Sequence, residues 1–346
     1  MNWLAFARTL MVATFATFGL PACSSNAPLA PDSVASPDAA TDAVATDALA
    51  TDAPLAPGVM KWVDDFGANP GGLRMSVFEP PQPASPAAVV VAMHGCMQSA
   101  RDYANVGWNE LATAQGFYVI YPEQVAANNQ LRCFNWFSTE DTKRDMGEAA
   151  SVRQMIAWAQ AHYRVDAARI YVTGLSAGAG MTAVMLATYP EVFAAGALIA
   201  GVPYGCATSS LGAAMCMNPG RNYSPTTWKQ EVAGASTHTG PWPRVSIWHG
   251  KGDTVVAASN ADESMEQWTA VHEVDQTADG SETVGDLTRT VYQNASGQAV
   301  VETVFVRSMG HGTPVAPASG CGLAGPYVLD VGVCSSQQIA RFFGLI

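Results

Sequence analysis

Residues 169–178 read RIYVTGLSAG, and this stretch decides the fold of the chain. Its first five residues, Arg169–Thr173, form an apolar, β-prone run, and helix-forming residues follow Ser176 as far as Thr188. A serine between two glycines at a strand-to-helix turn is typical of an exposed nucleophile, because glycines relieve the crowding of the sharp turn. The pattern also arises by chance in glycine-rich chains, so its weight depends on the residues that accompany the serine.

A nucleophilic serine needs a base and a carboxylate that orients the base. In α/β-hydrolases these partners follow the serine as Asp or Glu and then His, each on a loop after a later strand. Asp253 follows the predicted strand Arg244–Trp248, and His311 follows the predicted strand Val300–Val306. The order predicts Ser176 as nucleophile, His311 as base and Asp253 as the orienting acid.

Other residues fit the acid and base roles less well. The aspartates Asp262, Asp275 and Asp286 also precede the predicted base, but none of them directly follows a strand. Among the other histidines, His249 stands too close to Asp253 to be presented by a separate, later strand. The remaining ones precede the serine or lie in polar stretches, where a lone histidine is more often structural or solvated than catalytic.

Two backbone N–H groups are needed to stabilise the oxyanion that forms during acyl transfer. Ala177, the residue after the nucleophile, supplies the first. The second is expected from an early loop, and the buried-type strand Ala87–Met93 runs into His94–Ser99. We predict the Cys96 N–H as this donor; the alternative is an ordinary tight turn that caps the next helix.

Several motifs around this framework are rare in composition. They are His94-Gly95-Cys96, Tyr121-Pro122-Glu123-Gln124, Arg132-Cys133-Phe134-Asn135-Trp136-Phe137, Gly174 to Gly178, Ala187-Thr188-Tyr189-Pro190, Pro203-Tyr204-Gly205-Cys206, Gly310 to Val315 and Gly320-Cys321-Gly322. With them the chain from about Val59 onward resembles the poly(3-hydroxybutyrate) depolymerase family of esterases, within the broader feruloyl and acetylxylan esterase group. The resemblance implies the same triad and hydrolysis of a carboxylic ester through an acyl-enzyme.

Three functions stay open at this point. The first is hydrolysis of 3-hydroxybutyrate oligomers or related polyesters, and the second is removal of acetyl or feruloyl groups from plant-wall xylan. The third is a non-catalytic surface lipoprotein that binds carbohydrate or polymer; the four intact catalytic elements argue against it. A serine peptidase ranks lower, because the motifs match esterases. Extracellular depolymerases often carry an additional polymer-adsorbing domain and this chain ends soon after His311, so activity on solid polymer stays open.

The fold class predicted for residues 59–346 is an α/β-hydrolase fold, with a mostly parallel central sheet and helices on both faces. Strand and helix patterns alternate along this region. The clearest predicted helices are Asp102–Gln115 and Met146–His162, and Ser335 or Ser336 is expected to cap a final helix that ends at Phe343. Trp136 and Tyr204 are candidates to contact the substrate.

The first 58 residues indicate export. Residues 1–22 carry one positive charge and an apolar run too short to span a membrane, which predicts a signal peptide. Leu20-Pro21-Ala22-Cys23 resembles a bacterial lipobox, so we expect lipid on Cys23 and a lipoprotein at the outer membrane or cell surface. Ordinary cleavage and secretion is the alternative. Residues 23–58 are rich in Ala, Asp, Thr and Pro, without aromatic residues, and predict a disordered spacer.

Apart from Cys23, six cysteines remain in a domain expected to fold in an oxidising compartment. Six cysteines allow 15 pairings, which the sequence alone cannot distinguish. Local spacing favours Cys206–Cys216 and Cys321–Cys334, and leaves Cys96–Cys133 as the third pair. The last pair would tie the oxyanion loop to the segment that bears Trp136. The alternative is that some thiols stay free.

Charge and motif content exclude several partners. The formal net charge is −12, with no basic cluster, which argues against nucleic acid and against adsorption to anionic lipid. There is no nucleotide-binding fingerprint and no His, Asp or Glu cluster with metal-ligand spacing, so we expect no cofactor and no metal. We expect a monomer whose partner is an ester substrate and which meets a membrane only through the lipid on Cys23.

Overall fold

The computed structural model describes residues 58–346. The predicted signal peptide (1–22), the candidate lipid anchor Cys23 and the predicted spacer as far as residue 57 lie outside the described residues. No helix within residues 58–346 is long and apolar enough to cross a membrane.

The strands of the described region are β1 (Met60–Val63), β2 (Arg74–Phe78), β3 (Ala87–Met93), β4 (Tyr118–Glu123), β5 (Val165–Leu175), β6 (Ala195–Ile199), β7 (Arg244–Gly250), β8 (Gly280–Val284), β9 (Leu287–Gln293), β10 (Ala299–Val306), β11 (Thr313–Val315) and β12 (Val328–Asp330). Among these residues, β1 to β10 form one sheet in the order β1-β2-β4-β3-β5-β6-β7-β10-β9-β8. The central pairs from β4 to β10 are parallel, and the pairs at both edges are antiparallel. The predicted parallel centre is therefore present.

The helices are α1 (Ala100–Tyr103), α2 (Trp108–Gln115), α3 (Gly147–His162), α4 (Ala177–Thr188), α5 (Ser210–Met217), α6 (Pro225–Ala233), α7 (Ser259–Val271) and α8 (Ser335–Phe343). Helices α3, α4, α6 and α7 contribute to the core on one face of the sheet, and α1, α2 and α8 to the core on the other. Along β3, Val89 and Val91 enter the first core while Val90 and Ala92 enter the second. Since successive side chains point to opposite faces, a strand covered on both sides reads as a continuous apolar run.

Gly107 interrupts the helix that was predicted over Asp102–Gln115, so that prediction is wrong. Gly107 has φ 96°, a left-handed conformation, and separates a short 3₁₀ turn from α2. A side chain at this position would approach Ser336 Oγ to 2.6 Å and Cys321 Sγ to 2.9 Å. The break therefore reflects the close approach of α8 and of the loop of Cys321, both distant in sequence.

The prediction that Ser335 or Ser336 caps the final helix is also wrong, although α8 does end at Phe343. The N-cap residue is Cys334, which makes no side-chain capping bond. Ser335 Oγ instead donates to the Pro314 carbonyl at 2.8 Å. The hydroxyl connects α8 to β11 because it faces the interior.

The loops that carry the predicted site residues leave the sheet at one edge. Strands β3, β5, β6, β7 and β10 are neighbours in one parallel series, so their carboxyl ends lie on the same side. In open α/β sheets this edge is where ligands bind.

Candidate active site

Ser176 occupies the sharp turn between β5 and α4. Its backbone has φ 55° and ψ −115°, outside the regions that L-residues normally adopt, and its N–H donates to the Ile199 carbonyl at 2.9 Å. An added Cβ at Gly174 would collide with the Gly178 backbone, and one at Gly178 would collide with the Met93 carbonyl. The two flanking glycines are thus required by close packing, and the surrounding backbone holds the serine in a strained conformation.

Asp253 and His311 are in direct contact. His311 Nδ1 lies 2.7 Å from Asp253 Oδ2, and the carboxylate is almost completely buried. Asp253 Oδ1 accepts the backbone N–H groups of Val255 and Val256 at 2.8 and 2.9 Å. Burial by itself would raise the pKa of Asp253, but hydrogen bonds from His249 and His311 outweigh it and hold that pKa well below its usual range. The carboxylate is therefore ionised at neutral pH.

Ser176 lies at the same edge of the sheet as this pair. Within residues 58–346, no hydrogen bond of 3.5 Å or less joins Ser176 Oγ to His311. Catalytic hydrogen bonds often tighten only when a substrate is bound, so the sheet-edge placement is the relevant observation.

The two predicted oxyanion donors border one cavity with Ser176. Ala177 is the first residue of α4, where a backbone N–H has no intrahelical acceptor. Among the described residues, the Cys96 N–H also has no acceptor. The loop that carries it is fixed by the Cys96–Cys133 disulfide and by the Met97 N–H, which donates to the Leu131 carbonyl at 2.6 Å.

Two buried groups that the sequence analysis did not single out support this loop. His94 Nδ1 donates to the Gly95 carbonyl at 2.7 Å, and Nε2 accepts the Gln124 N–H at 3.1 Å. Burial lowers the pKa of His94 to about 4, so the ring is neutral at pH 7. Glu148 accepts the backbone and side-chain N–H groups of Asn135 at 2.8 and 2.7 Å. Nothing in the sequence signalled this role of Glu148, because an acidic residue is common in the first turn of any helix.

The cavity beside Ser176 has a volume of about 80 Å³. It is lined by Cys96, Cys133, Trp136, Phe137, Ser176, Ala177, Val202, Ala213, Met217 and Val256. Trp136 packs so closely over Gly180 that a side chain there would approach its ring to 2.6 Å. We call this space the acyl cavity. Its walls are almost entirely apolar.

Tyr204, the other aromatic candidate, does not line the acyl cavity. Its backbone N–H and carbonyl are both held by Gln267, at 2.9 and 2.8 Å, and its ring packs against the core under α6 and α7. Burial raises the pKa of Tyr204 to about 12. Of the two predicted substrate contacts, the structure places only Trp136 beside the serine.

Within residues 58–346 the disulfides are the two that local spacing favoured and the third pair that those two leave. They are Cys96–Cys133, Cys206–Cys216 and Cys321–Cys334. The first borders the acyl cavity, the second joins α5 to the loop before it, and the third lies at the start of α8.

A much larger groove, of about 690 Å³, lies between α8 and the strands β8, β9 and β10. It contains none of the predicted site residues, and its buried Glu302 is paired with Arg289 at 2.6 Å. We place the candidate active site at the smaller cavity because the predicted nucleophile and both predicted oxyanion donors border it. In the part of the chain that the structure describes, no group of three His, Cys, Asp or Glu side chains is arranged to hold a metal.

Comparison with known proteins agrees with this geometry. The family described as esterase PHB depolymerase matches residues 73–293. Poly(3-hydroxyalkanoate) depolymerase C of Paucimonas lemoignei is 50% identical over 288 residues, covering 82% of this chain and 70% of that protein. Feruloyl esterase B of Talaromyces stipitatus is 34% identical over 244 residues, covering 68% of this chain and 67% of that protein. The solved acetyl xylan esterase from Aspergillus awamori matches with a TM-score of 0.72 and 26% identity, over 84% of this chain and 100% of that chain. The predicted α/β-hydrolase fold is confirmed.

Proposed function

Because this chain belongs to the esterase PHB depolymerase family and is a carboxylic ester hydrolase, we propose that it is a serine esterase that acts on 3-hydroxybutyrate oligomers or related polyesters. The observation that carries the proposed chemistry is the 2.7 Å contact between His311 and the buried Asp253, at the sheet edge where Ser176 lies. Strain at Ser176 supports it further, because strained backbone clusters at functional sites.

The proposed reaction proceeds through an acyl-enzyme. Ser176 Oγ attacks the ester carbonyl carbon while His311 Nε2 takes the hydroxyl proton. The carbonyl oxygen becomes an oxyanion and accepts the N–H groups of Ala177 and Cys96. Collapse of this intermediate breaks the ester bond, and His311 returns the proton to the departing alcohol. His311 then deprotonates a water that attacks the acyl carbon. The bond to Ser176 Oγ breaks as His311 returns the proton to that oxygen, and the acid is released.

Asp253 acts on this sequence through His311. By accepting the Nδ1 hydrogen it leaves Nε2 free to take the serine proton, and its negative charge stabilises the imidazolium that forms. Because the pKa of Asp253 is well below its usual range, it keeps that charge throughout the neutral and mildly acidic range.

The size of the acyl cavity favours a short aliphatic group. A volume of about 80 Å³ is a few times the roughly 30 Å³ that one water occupies in the liquid. A methyl-bearing 3-hydroxybutyryl unit or an acetyl group suits a space of this size better than an aromatic feruloyl group does. The apolar lining agrees with an alkyl substituent, because it offers few polar partners.

The surface around the cavity favours a polyester over a polysaccharide. Exposed apolar side chains flank the cavity-lining residues in sequence; we call them the apolar rim, and they are Met97, Leu131, Leu211, Met215 and Val255. Exposed apolar patches of this kind mark surfaces that contact apolar partners. A polyester chain presents alkyl groups along its length, whereas xylan presents hydroxyl groups.

Removal of acetyl groups from xylan is the second candidate function. Its support is the small cavity, which accepts an acetyl group, together with the likeness to the Aspergillus awamori esterase. The two functions are separated by product analysis on hydroxybutyrate oligomers and on acetylated xylan.

We further propose export, with Cys23 as a lipid anchor, residues 59–346 as a single catalytic domain, and a monomeric enzyme. The three disulfides support export, because such bonds persist in oxidising compartments. Replacing Cys23 by serine should move the protein from the membrane fraction to the soluble fraction. An unchanged distribution would contradict the anchor, and gel filtration of the soluble form tests the monomer.

The first experiment measures hydrolysis of p-nitrophenyl acetate and butyrate by the wild type and by Ser176→Ala. We expect the variant to lose at least about 10⁴-fold in kcat, as for other serine hydrolases that lose the nucleophile. Ser281→Ala on β8, an exposed serine, is the matched control and should keep full activity. A folded wild type without activity would support the non-catalytic binding protein, and an active Ser176→Ala would exclude the acyl-enzyme.

A further inference from the structure

A second histidine lies against the proposed catalytic aspartate. His249 is the penultimate residue of β7, opposite Phe305 of β10, and its side chain is 1% exposed. Its Nε2 lies 3.3 Å from Asp253 Oδ2, the same oxygen that contacts His311. The proposed mechanism assigns this ring no part in proton transfer.

The hydrogen bonds of His249 determine where its proton sits. Nε2 also lies 3.0 Å from the Val256 carbonyl, which can only accept a hydrogen bond. Nε2 therefore carries the hydrogen and shares it between the Val256 oxygen and Asp253 Oδ2. The other nitrogen, Nδ1, is buried and has no partner among the described residues. The contacts thus place a hydrogen on Nε2.

An unpaired buried nitrogen opposes folding, so packing alone does not account for a histidine at this position. An apolar side chain of similar size would fill the space without this penalty. What the imidazole adds is one N–H that lies between the Val256 carbonyl and the carboxylate. Together with His311 and the two amides of Val255 and Val256, it surrounds Asp253 with four donors.

We infer that His249 is a positioning residue, whose Nε2–H holds Asp253 Oδ2 in the orientation that receives His311 Nδ1. The same hydrogen connects the end of β7 to the carbonyl of Val256, a residue that lines the acyl cavity. His249 touches neither the substrate nor the reacting serine in this scheme. The inference rests on the proposed roles of Asp253 and His311.

Two variants of the full chain separate the hydrogen bond from the packing. His249→Leu keeps an apolar body without a donor, and His249→Gln places an amide N–H near the position of Nε2. With p-nitrophenyl butyrate we expect His249→Leu to lose roughly tenfold to a hundredfold in kcat with KM within about twofold, and His249→Gln to recover most of the loss. If both variants fall equally, or if folded His249→Leu keeps wild-type kcat, the inference is wrong.

A double-mutant cycle tests whether the effect passes through Asp253. In the Asp253→Asn background, His249→Leu should cost no more than about twofold in kcat, because the carboxylate that it positions is gone. An equal loss in both backgrounds would show a general structural role and overturn the inference. If His249→Leu does not fold, His249→Asn, whose amide is too short to reach Oδ2, replaces it in both comparisons. An inactive wild type would refute the proposed function itself, whereas an active wild type with an insensitive His249 refutes only this inference.

Discussion

The two halves of the active site are held together by different means. The oxyanion half, formed by the loop after β3 and the segment around Trp136, is fixed by the Cys96–Cys133 disulfide and by buried polar groups. The acid–base half, formed by the loops after β7 and β10, is held by hydrogen bonds to one carboxylate. The donors must stay still while charge develops, whereas the histidine must exchange protons with several partners. The disulfide therefore suits the loop that must stay still, and hydrogen bonds suit the histidine that must gain and lose protons.

The largest expected effect comes from the acid–base half. Asp253→Asn removes the charge and the acceptor that fix His311, and we expect kcat on p-nitrophenyl butyrate to fall by about 10⁴-fold, the loss known when an orienting aspartate becomes asparagine. Asp262→Asn on α7, an exposed carboxylate, is the control and should stay within about threefold. A small loss of kcat in Asp253→Asn would mean that another residue is the orienting acid. The acid–base half would then not be held by the Asp253 carboxylate.

The disulfide in the oxyanion half can be compared with one outside the site. Replacing Cys96 and Cys133 by alanine should lower kcat by about tenfold or more, because one oxyanion donor is worth about 10²–10³-fold and the untied loop holds it less well. Replacing Cys321 and Cys334 by alanine, at the start of α8, should leave kcat unchanged and lower stability by about 3 kcal/mol. Melting curves and kinetics on both double variants test this; equal effects on kcat would show that the tether serves stability alone.

His94, in the oxyanion half, predicts a contribution to stability that is lost in acid. The pKa of His94 is lowered to about 4 by burial, below its unfolded value of 6.5, so His94 stabilises the fold fully above pH 6.5. That contribution, about 3 kcal/mol, is lost as the pH falls from 6.5 through 4, when Nε2 gains a proton and can no longer accept the Gln124 N–H. Burial lowers the pKa of His272 in the same way, also to about 4, and so adds to this slope, whereas burial raises the pKa of Glu148 to about 8 and opposes it.

The melting temperature between pH 7 and pH 4 measures this loss. His94→Gln should flatten the slope, whereas His162→Gln, at an exposed histidine, should leave it unchanged. A slope in His94→Gln as steep as in the wild type would mean that the buried ring is not the group that titrates.

The smallest effect is expected in the apolar rim, whose residues flank cavity-lining residues of both halves in sequence. Leu131→Ser on the oxyanion side and Val255→Ser on the acid–base side should each reduce hydrolysis of a solid polyester film by about fivefold, since each removes roughly 1 kcal/mol of apolar contact. Hydrolysis of soluble p-nitrophenyl butyrate should change by less than about twofold. Val284→Ser, an exposed apolar residue at the large groove, is the matched control. If all three variants behave alike on the film, the rim does not contact the substrate.

Much of the fold and the proposed triad could be predicted from the sequence, because both depend on short apolar runs and on the order of residues along the chain. The strands predicted before Ser176, Asp253 and His311 all lie in the observed sheet, since apolar β-prone runs form buried strands with little help from context. The helix predicted over Asp102–Gln115 failed at Gly107, where a contact with a distant segment decided the backbone. Tyr204 does not line the acyl cavity, and Gln267 on α7 holds its backbone through a contact between elements that are distant in sequence.

The sequence by itself determined the strand-to-helix turn at Ser176 and the order in which the candidate acid and base follow it. These features depend on neighbouring residues and on chain direction, which a linear sequence contains. Only the tertiary structure decided that His249 shares an oxygen of Asp253 with His311, that Glu148 holds the segment of Asn135, and that Trp136 closes a small cavity over Gly180. Each of these depends on distances between side chains on different elements, which are set when the helices pack on the sheet and its parallel strands bring their ends together.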